Sequence, residues 1–327
     1  MGRAQPLVME HVRTLEEAGA VASGKGPVFL AVGMFDGVHL GHQSVLDAAR
    51  RLSRLRGGMG AVLTFWPHPS RLFTPEDPKL MILNPYQKRF KLATNGVDLM
   101  IELNFDADFA SLDAEAFIPM LKKHLPELKQ IFVGENFRYG AQRAGDITSL
   151  IEQASAEQIQ VFSGNRVRAG GEAISSTRIR SQISRGDIAA ANQLLGYTYV
   201  CGGEVIPGKQ NGRKIGFPTM NLVWNPDLKP RYGVYQVEVE KSGADADGAR
   251  MPSVANYGLR PTVGDLKEPL LEVHVLDRDP HVTPGDPLRV YWHDFIRPEM
   301  KFDGFDSLKS QIAQDVNSAR KQFGLDE

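Results

Sequence analysis

Between residues 28 and 162, short apolar runs alternate with stretches whose apolar positions recur at helical spacing. The runs are VFLAV at 28–32, AVLTF at 61–65, VDLMIEL at 97–103, QIFVG at 130–134 and IQVF at 159–162. Between them the spacing predicts helices over Gln43–Arg56 and around Ala114–His124. Strands separated by helices predict a parallel sheet with crossover helices. A helical pair follows over about Thr177–Leu195, broken by RGD at 185–187. The pattern then changes to β-like runs with few helices between them: TYVCGGEVI, GVYQVEVE, PSVANYGL, LLEVHVLD and LRVYWHDFI. These predict a small antiparallel barrel. A last helix is expected over Phe305–Phe323, where Leu308, Ile312, Val316 and Ala319 share one face. The fold class is therefore an α/β domain with a parallel sheet, then an antiparallel β-barrel with a C-terminal helix. The boundary falls near 190–200, giving domains 1–192 and 193–327. KSGADADGARM at 241–251 reads as a hairpin loop.

A chain of 327 residues with 42% hydrophobic positions suits two ordinary cores. Its formal net charge of -1 provides no general field for a nucleic-acid backbone or an anionic membrane, so an anionic ligand has to be held locally. Small-molecule partners are expected, without nucleic acid or membrane, and no pattern speaks to oligomeric state. One cysteine, Cys201, cannot form an internal disulfide. No run approaches the ~18 apolar residues of a membrane span, and the first residues lack a signal-peptide core, so a cytoplasmic location is expected.

The richest chemistry lies in AVGMFDGVHLGHQ, between the run ending at Val32 and the helix carrying Val45, Ala49 and Leu52. A glycine-bearing turn from a strand into a helix start lets backbone N–H groups approach an anion and adds the helix dipole. His39 and His42 fall at this turn, where imidazoles can donate to phosphate oxygens. As metal ligands they lack further candidates nearby; as core filler they conflict with the glycines. In ISSTRIR, Ser176, Thr177 and Arg180 sit at another helix start and suit phosphates, or merely cap the helix. Further on, GKQNGRKIGFPTMN joins Gly208, Gly212 and Gly216 to Lys209 and Arg213, a phosphate loop or an exposed hairpin. Glu272 shares its strand face with His274, and both a catalytic and an outward-facing reading are open.

FDGVHLGHQ resembles the H-x-G-H signature of the nucleotidyltransferase superfamily, in the form found in bacterial bifunctional riboflavin kinase/FMN adenylyltransferases. FWPHP, VGENFRYG, RAGD, ISSTRIR, GRKIGFPTMNL, NYGLRPTV and LEVHVLD resemble the same family in the same order, covering nearly the whole chain. The resemblance implies a Rossmann-like nucleotidyltransferase domain followed by a riboflavin kinase barrel. It implies Mg²⁺-assisted phosphorylation of riboflavin by ATP to FMN, then adenylylation of FMN by ATP to FAD and pyrophosphate. It casts His39 and His42 as catalytic, holding ATP phosphates, with Gly33, Phe35, Asp36, Gly37, Gly41, Ser176, Thr177 and Arg180 around the nucleotide. Pro67, His68, Pro69, Asn136, Phe137 and Arg297 would bind flavin. In the barrel it casts Gly208, Lys209, Gly212, Arg213 and Gly216 as ATP-binding, Thr219 and Asn221 as magnesium ligands, and Glu272 as the catalytic base. The chain departs from the family at Pro207 and Lys209, at Met220 where alanine is usual, and at VTPGDPL over 282–288. A flavin- or nucleotide-binding relative without activity is the competing reading, although binding alone would not require Glu272.

Overall fold

The computed structural model describes residues 9–208, 212, 216–242, 248–261, 267–278 and 280–325. Their contacts divide the chain into two compact units, Met1–Ser176 and Thr177–Glu327.

In the first unit, β1 (Glu10–Val12), β2 (Val28–Val32), β3 (Met59–Trp66), β4 (Leu99–Asn104), β5 (Leu128–Gly134) and β6 (Gln160–Gly164) form one sheet in the order β1-β4-β3-β2-β5-β6. Every pairing is parallel. All five residues of β2 are buried, as the unbroken VFLAV run requires of a central strand. Helices α1 (Leu15–Ala22), α2 (Leu40–Arg56), α3 (Ser70–Phe73), α4 (Pro85–Thr94), α5 (Ala107–Ala110), α6 (Ala114–His124) and α7 (Ile147–Ala156) lie between the strands in sequence. Leu15, Phe117, Leu121 and Leu150 from α1, α6 and α7 join Val28, Leu30 and Val32 in the main core. A two-stranded ribbon, β7 (Arg168–Ala169) and β8 (Glu172–Ala173), precedes Ser176. Strand order reverses at β2, which β3 and β5 flank. Open parallel sheets bind ligands beyond the carboxyl ends of the strands at such a point.

The second unit takes in α8 (Ser176–Arg185) from Thr177 onward, and α9 (Ile188–Leu195). Strands β9 (Tyr199–Ile206), β10 (Met220–Val223), β11 (Gly233–Lys241), β12 (Met251–Pro261), β13 (Lys267–Val275) and β14 (Pro287–Pro298) close a barrel in the order β10-β13-β12-β11-β14-β9. All its ladders are antiparallel. Tyr199, Tyr235, Tyr257 and Trp292 fill the interior. Asn192 of α9 donates to the Trp292 carbonyl at 2.8 Å and accepts the Tyr199 N–H at 2.7 Å, so α9 is built into this unit. The helix α10 (Phe305–Phe323) lies against β12 and β14, burying Val316 and Ala319. Residues 243–247 of the expected hairpin loop lie outside the described residues, but β11 and β12 pair as a hairpin across it.

Candidate functional sites

In the first unit the signature turn leaves β2 at Gly33 and crosses left-handed backbone at Phe35 (φ 50°), Gly37 (φ 81°) and Val38 (φ 38°). Two positive angles on residues with side chains mark stored strain, which its surroundings must hold. Asp36 does so: it is buried, and Oδ1 accepts the N–H groups of Ile82 at 3.0 Å and Leu83 at 3.4 Å. Its carbonyl accepts the hydroxyl of Ser176, the last residue of the first unit, at 3.0 Å. His39 is the N-cap of α2, with Nδ1 accepting the His42 N–H at 3.3 Å. In this arrangement the His39 proton resides on Nε2. A Cβ at Gly41 would crowd the His39 ring at 3.1 Å, so the glycine lets the ring lie over the helix start.

The His39 and His42 rings stack at 3.7 Å, and the edge of His42 meets buried Phe35 at 5.3 Å. Desolvation, then the His39 ring and the Lys88 ammonium, hold His42 well below the ordinary histidine range. The ring is therefore neutral near pH 7. Its Nδ1 is buried without a hydrogen-bond partner among the described residues. Lys88 is itself buried, 3.3 Å from the Thr64 hydroxyl and 3.5 Å from Glu102. Burial lowers its proton affinity while Glu102 supports the charge. Sequence reading missed Lys88, because its partners are distant along the chain.

Pro67, His68 and Pro69 follow a cis Trp66-Pro67 bond, and His68 Nδ1 accepts the Ser70 N–H at 3.1 Å as α3 begins. Nearby, Phe65, Phe73, Phe105 and Phe109 form an aromatic group with ring centres 5.0–5.9 Å apart, and Phe73 is 63% exposed. Single aromatics scattered through the sequence carried no sign of this cluster. Asn136 is exposed in the turn after β5, while Phe137 stacks on Tyr139. Thr177 and Arg180 lie on α8 in the second unit.

In the barrel, two cavities of about 580 Å³ each open around β10 and β13. One is lined by Glu272, Arg297, Phe217 and the α10 residues Phe305, Leu308 and Ile312. The other is lined by Pro207, Gly208, Asn221 and Arg278. Asn221 pairs directly with Glu272 across the β10–β13 ladder, placing both side chains on one face. Asn221 is buried, and its Oδ1 has no hydrogen-bond partner among the described residues. With the Thr219 hydroxyl it offers hard oxygen donors that fit a small divalent cation. Gly208 has no room for a side chain against the Asn221 amide, and a Cβ at Gly212 would strike the Phe217 carbonyl. Gly216 takes a left-handed φ of 93°. Lys209 and Arg213 lie outside the described residues. Arg297 lines the first cavity while its Nε and an Nη bind the Asp315 carboxylate at 2.8 and 2.7 Å.

Sequence comparisons divide the chain similarly. The profile of the family described as FAD synthetase matches residues 22–178, and that described as riboflavin kinase matches 195–323. A bifunctional riboflavin kinase/FMN adenylyltransferase of Escherichia coli K12 is 38% identical over 90% of this chain and 93% of its own. Proteins of the same name from Listeria monocytogenes and Haemophilus influenzae are each 36% identical, covering 90% and 96% of this chain and 92% and 99% of their own. A crystal structure from Streptococcus pneumoniae titled as a macrolide-efflux protein superposes with a TM-score of 0.83 at 31% identity, over 95% of this chain and 99% of that one. Among the described residues here, no helix is long and apolar enough to cross a membrane.

Proposed function

The chain belongs to the bifunctional riboflavin kinase/FMN adenylyltransferase family, and from that premise we propose that it phosphorylates riboflavin with ATP and then adenylylates the FMN to FAD. The proposed domains are 1–192 for adenylyl transfer and 193–327 for the kinase, in the cytoplasm where ATP is at hand.

In adenylyl transfer, an FMN phosphate oxygen attacks the α-phosphorus of ATP, and the bond to the β-phosphate breaks to release pyrophosphate. No covalent nucleophile from the protein is needed; positioning and neutralisation of charge are. His39 Nε2–H and the start of α2 face the triphosphate, and Gly33, Gly37 and Gly41 let the backbone approach it. An arriving polyanion favours the protonated form of His42, so this ring gains donor strength when substrate binds. Phe35 and Asp36 act by holding the turn. Ser176, Thr177 and Arg180 take the departing pyrophosphate. Exposed Phe73, backed by the half-buried rings beside Pro67, His68 and Pro69, offers the flavin ring a stacking surface, with Asn136 and Phe137 on its polar end.

In the kinase step the cavity lined by Phe217, Phe305, Leu308 and Ile312 takes riboflavin and the other takes ATP. Glu272 accepts the ribityl hydroxyl proton as that oxygen attacks the γ-phosphorus and ADP leaves. Bound Mg²⁺ would neutralise phosphate charge, held by Thr219 and Asn221. Gly208, Lys209, Gly212, Arg213 and Gly216 wrap the phosphates, and Arg297 borders the flavin. The reading rests above all on the register that sets Asn221, with its unpartnered oxygen, opposite Glu272 where the two cavities approach. The test is incubation with riboflavin, ATP and Mg²⁺ followed by chromatography of the flavins. FMN and then FAD are expected; riboflavin recovered unchanged from folded protein refutes the reading.

A further inference from the structure

Of the described residues, only Thr219 and His274 line both barrel cavities. These two residues therefore lie where the two cavities border one another. His274 is two residues beyond Glu272 on β13 and shares its face. Its Nδ1 lies 2.8 Å from the Pro218 carbonyl oxygen, which can only accept, so Nδ1 carries the proton and donates. The ring also meets Phe217 edge-on at 5.5 Å. His274 thus grips the two residues immediately before Thr219, whereas β10 begins only at Met220. The ladder to β13 likewise begins with the Met220–Val273 pair, so no ladder bond fixes residue 219.

We propose that His274 is a positioning residue for phosphoryl transfer: its Nδ1–H holds the Pro218 carbonyl and thereby orients the Thr219 hydroxyl at the border of the two cavities. This rests on the kinase reading above. The hydrogen bond substitutes for the missing ladder and lets a threonine at the edge of a glycine-bearing loop keep one orientation. Errors of ~1 Å in such placements cost about 10² in rate.

The test uses the full chain with His274→Asn, His274→Gln and His274→Ala. An asparagine Nδ2 falls where the ring Nδ1 lies and preserves the donor; glutamine places its amide further out and alanine has none. Four quantities are measured: kcat and KM for riboflavin phosphorylation, the calorimetric affinity for Mg–ADP, conversion of supplied FMN to FAD, and melting temperature. The expected result is riboflavin phosphorylation within about threefold of wild type for Asn, and a fall of about 10- to 100-fold for Gln and Ala, with weaker Mg–ADP binding. FAD formation and melting temperature stay near wild type throughout. Asn falling as far as Ala, all three variants matching wild type, or losses that merely follow melting temperature would each overturn the proposal. Wild-type protein unable to phosphorylate riboflavin would instead sink the kinase reading itself.

Discussion

Asp315→Asn isolates the role of α10. Arg297 and Asp315 are 15% and 5% exposed in their side chains, and they bind through two short contacts. Removing the charge of one partner leaves the other buried and uncompensated, a change worth about 3–5 kcal/mol. The apolar hold on α10 is of the same size. Val316 and Ala319 are buried and Ile312 partly so, together about 3–5 kcal/mol at the usual ~25 cal/mol per Å². Arg320 still donates to the Leu276 carbonyl at 3.0 Å, so the C-terminal turns stay in place. The loosened part is the half carrying Phe305, Leu308 and Ile312, which wall the proposed flavin cavity. Even half the lost energy, about 2 kcal/mol, raises the riboflavin KM by more than tenfold, and all of it by about 10² to nearly 10⁴. Steady-state kinetics with varied riboflavin, and hydrogen exchange of the α10 amides, provide the assay. Conversion of supplied FMN to FAD is the internal control. The double variant Arg297→Met/Asp315→Leu, which replaces the pair with apolar groups, should recover amide protection. A riboflavin KM within threefold of wild type and unchanged exchange in Asp315→Asn would show that the pair does not hold α10 against the cavity.

Glu272→Gln keeps the shape but removes the proton acceptor. Riboflavin phosphorylation should fall by about 10² to 10⁴ while supplied FMN is still adenylylated; equal loss of both activities argues against the role. His42→Ala should lower FAD formation by the ~2.7–4 kcal/mol typical of a lost transition-state donor and spare FMN formation. Folded His42 refuses a proton that the unfolded chain takes near pH ~6.5, so wild-type stability falls as pH drops below that value. His42→Ala should lack that part of the acid sensitivity in urea titrations. Glu102→Gln removes the support for the buried Lys88 ammonium, whose folded proton affinity then drops further below the unfolded ~10.4. Its destabilisation should shrink as pH rises above 7, by up to ~1.4 kcal/mol per pH unit, and a pH-independent difference would contradict this account.

The strands that burial makes continuous in sequence were the legible ones. VFLAV became β2, and the recurrence of Leu308, Ile312, Val316 and Ala319 became α10 with the expected bounds. The three-residue edge strand β1 is too short to show a period. β10 was hidden in a glycine-rich loop, since MNLV owes its strand character to pairing with β13 and β9. α2 begins at Leu40, not Gln43, because its cap is a histidine, not one of the usual Ser, Thr, Asp or Asn. α4 was readable in principle: Asn84 and Gln87 form a capping box around Pro85. The clustered histidines, glycines and Thr219, Asn221 and Glu272 stood out as motifs. Their supports did not, because each spans distant sequence: Asp36 to Ile82, Lys88 to Glu102, His274 to Pro218 and Arg297 to Asp315.

Two chemically independent sites on one chain, the product of the kinase being the substrate of the adenylyltransferase, dictate how mixed variants behave. The decisive measurement is FAD formation by a mixture of the two single-site variants. Supplied with riboflavin, ATP and Mg²⁺, Glu272→Gln alone should accumulate neither flavin nucleotide at an appreciable rate, and His42→Ala alone should stop at FMN. The mixture should make FAD, as FMN released by His42→Ala is adenylylated by Glu272→Gln. A mixture of folded variants that forms FMN but no FAD, or either variant alone matching the wild-type rate of FAD formation from riboflavin, would rule out two independent sites built on Glu272 and His42.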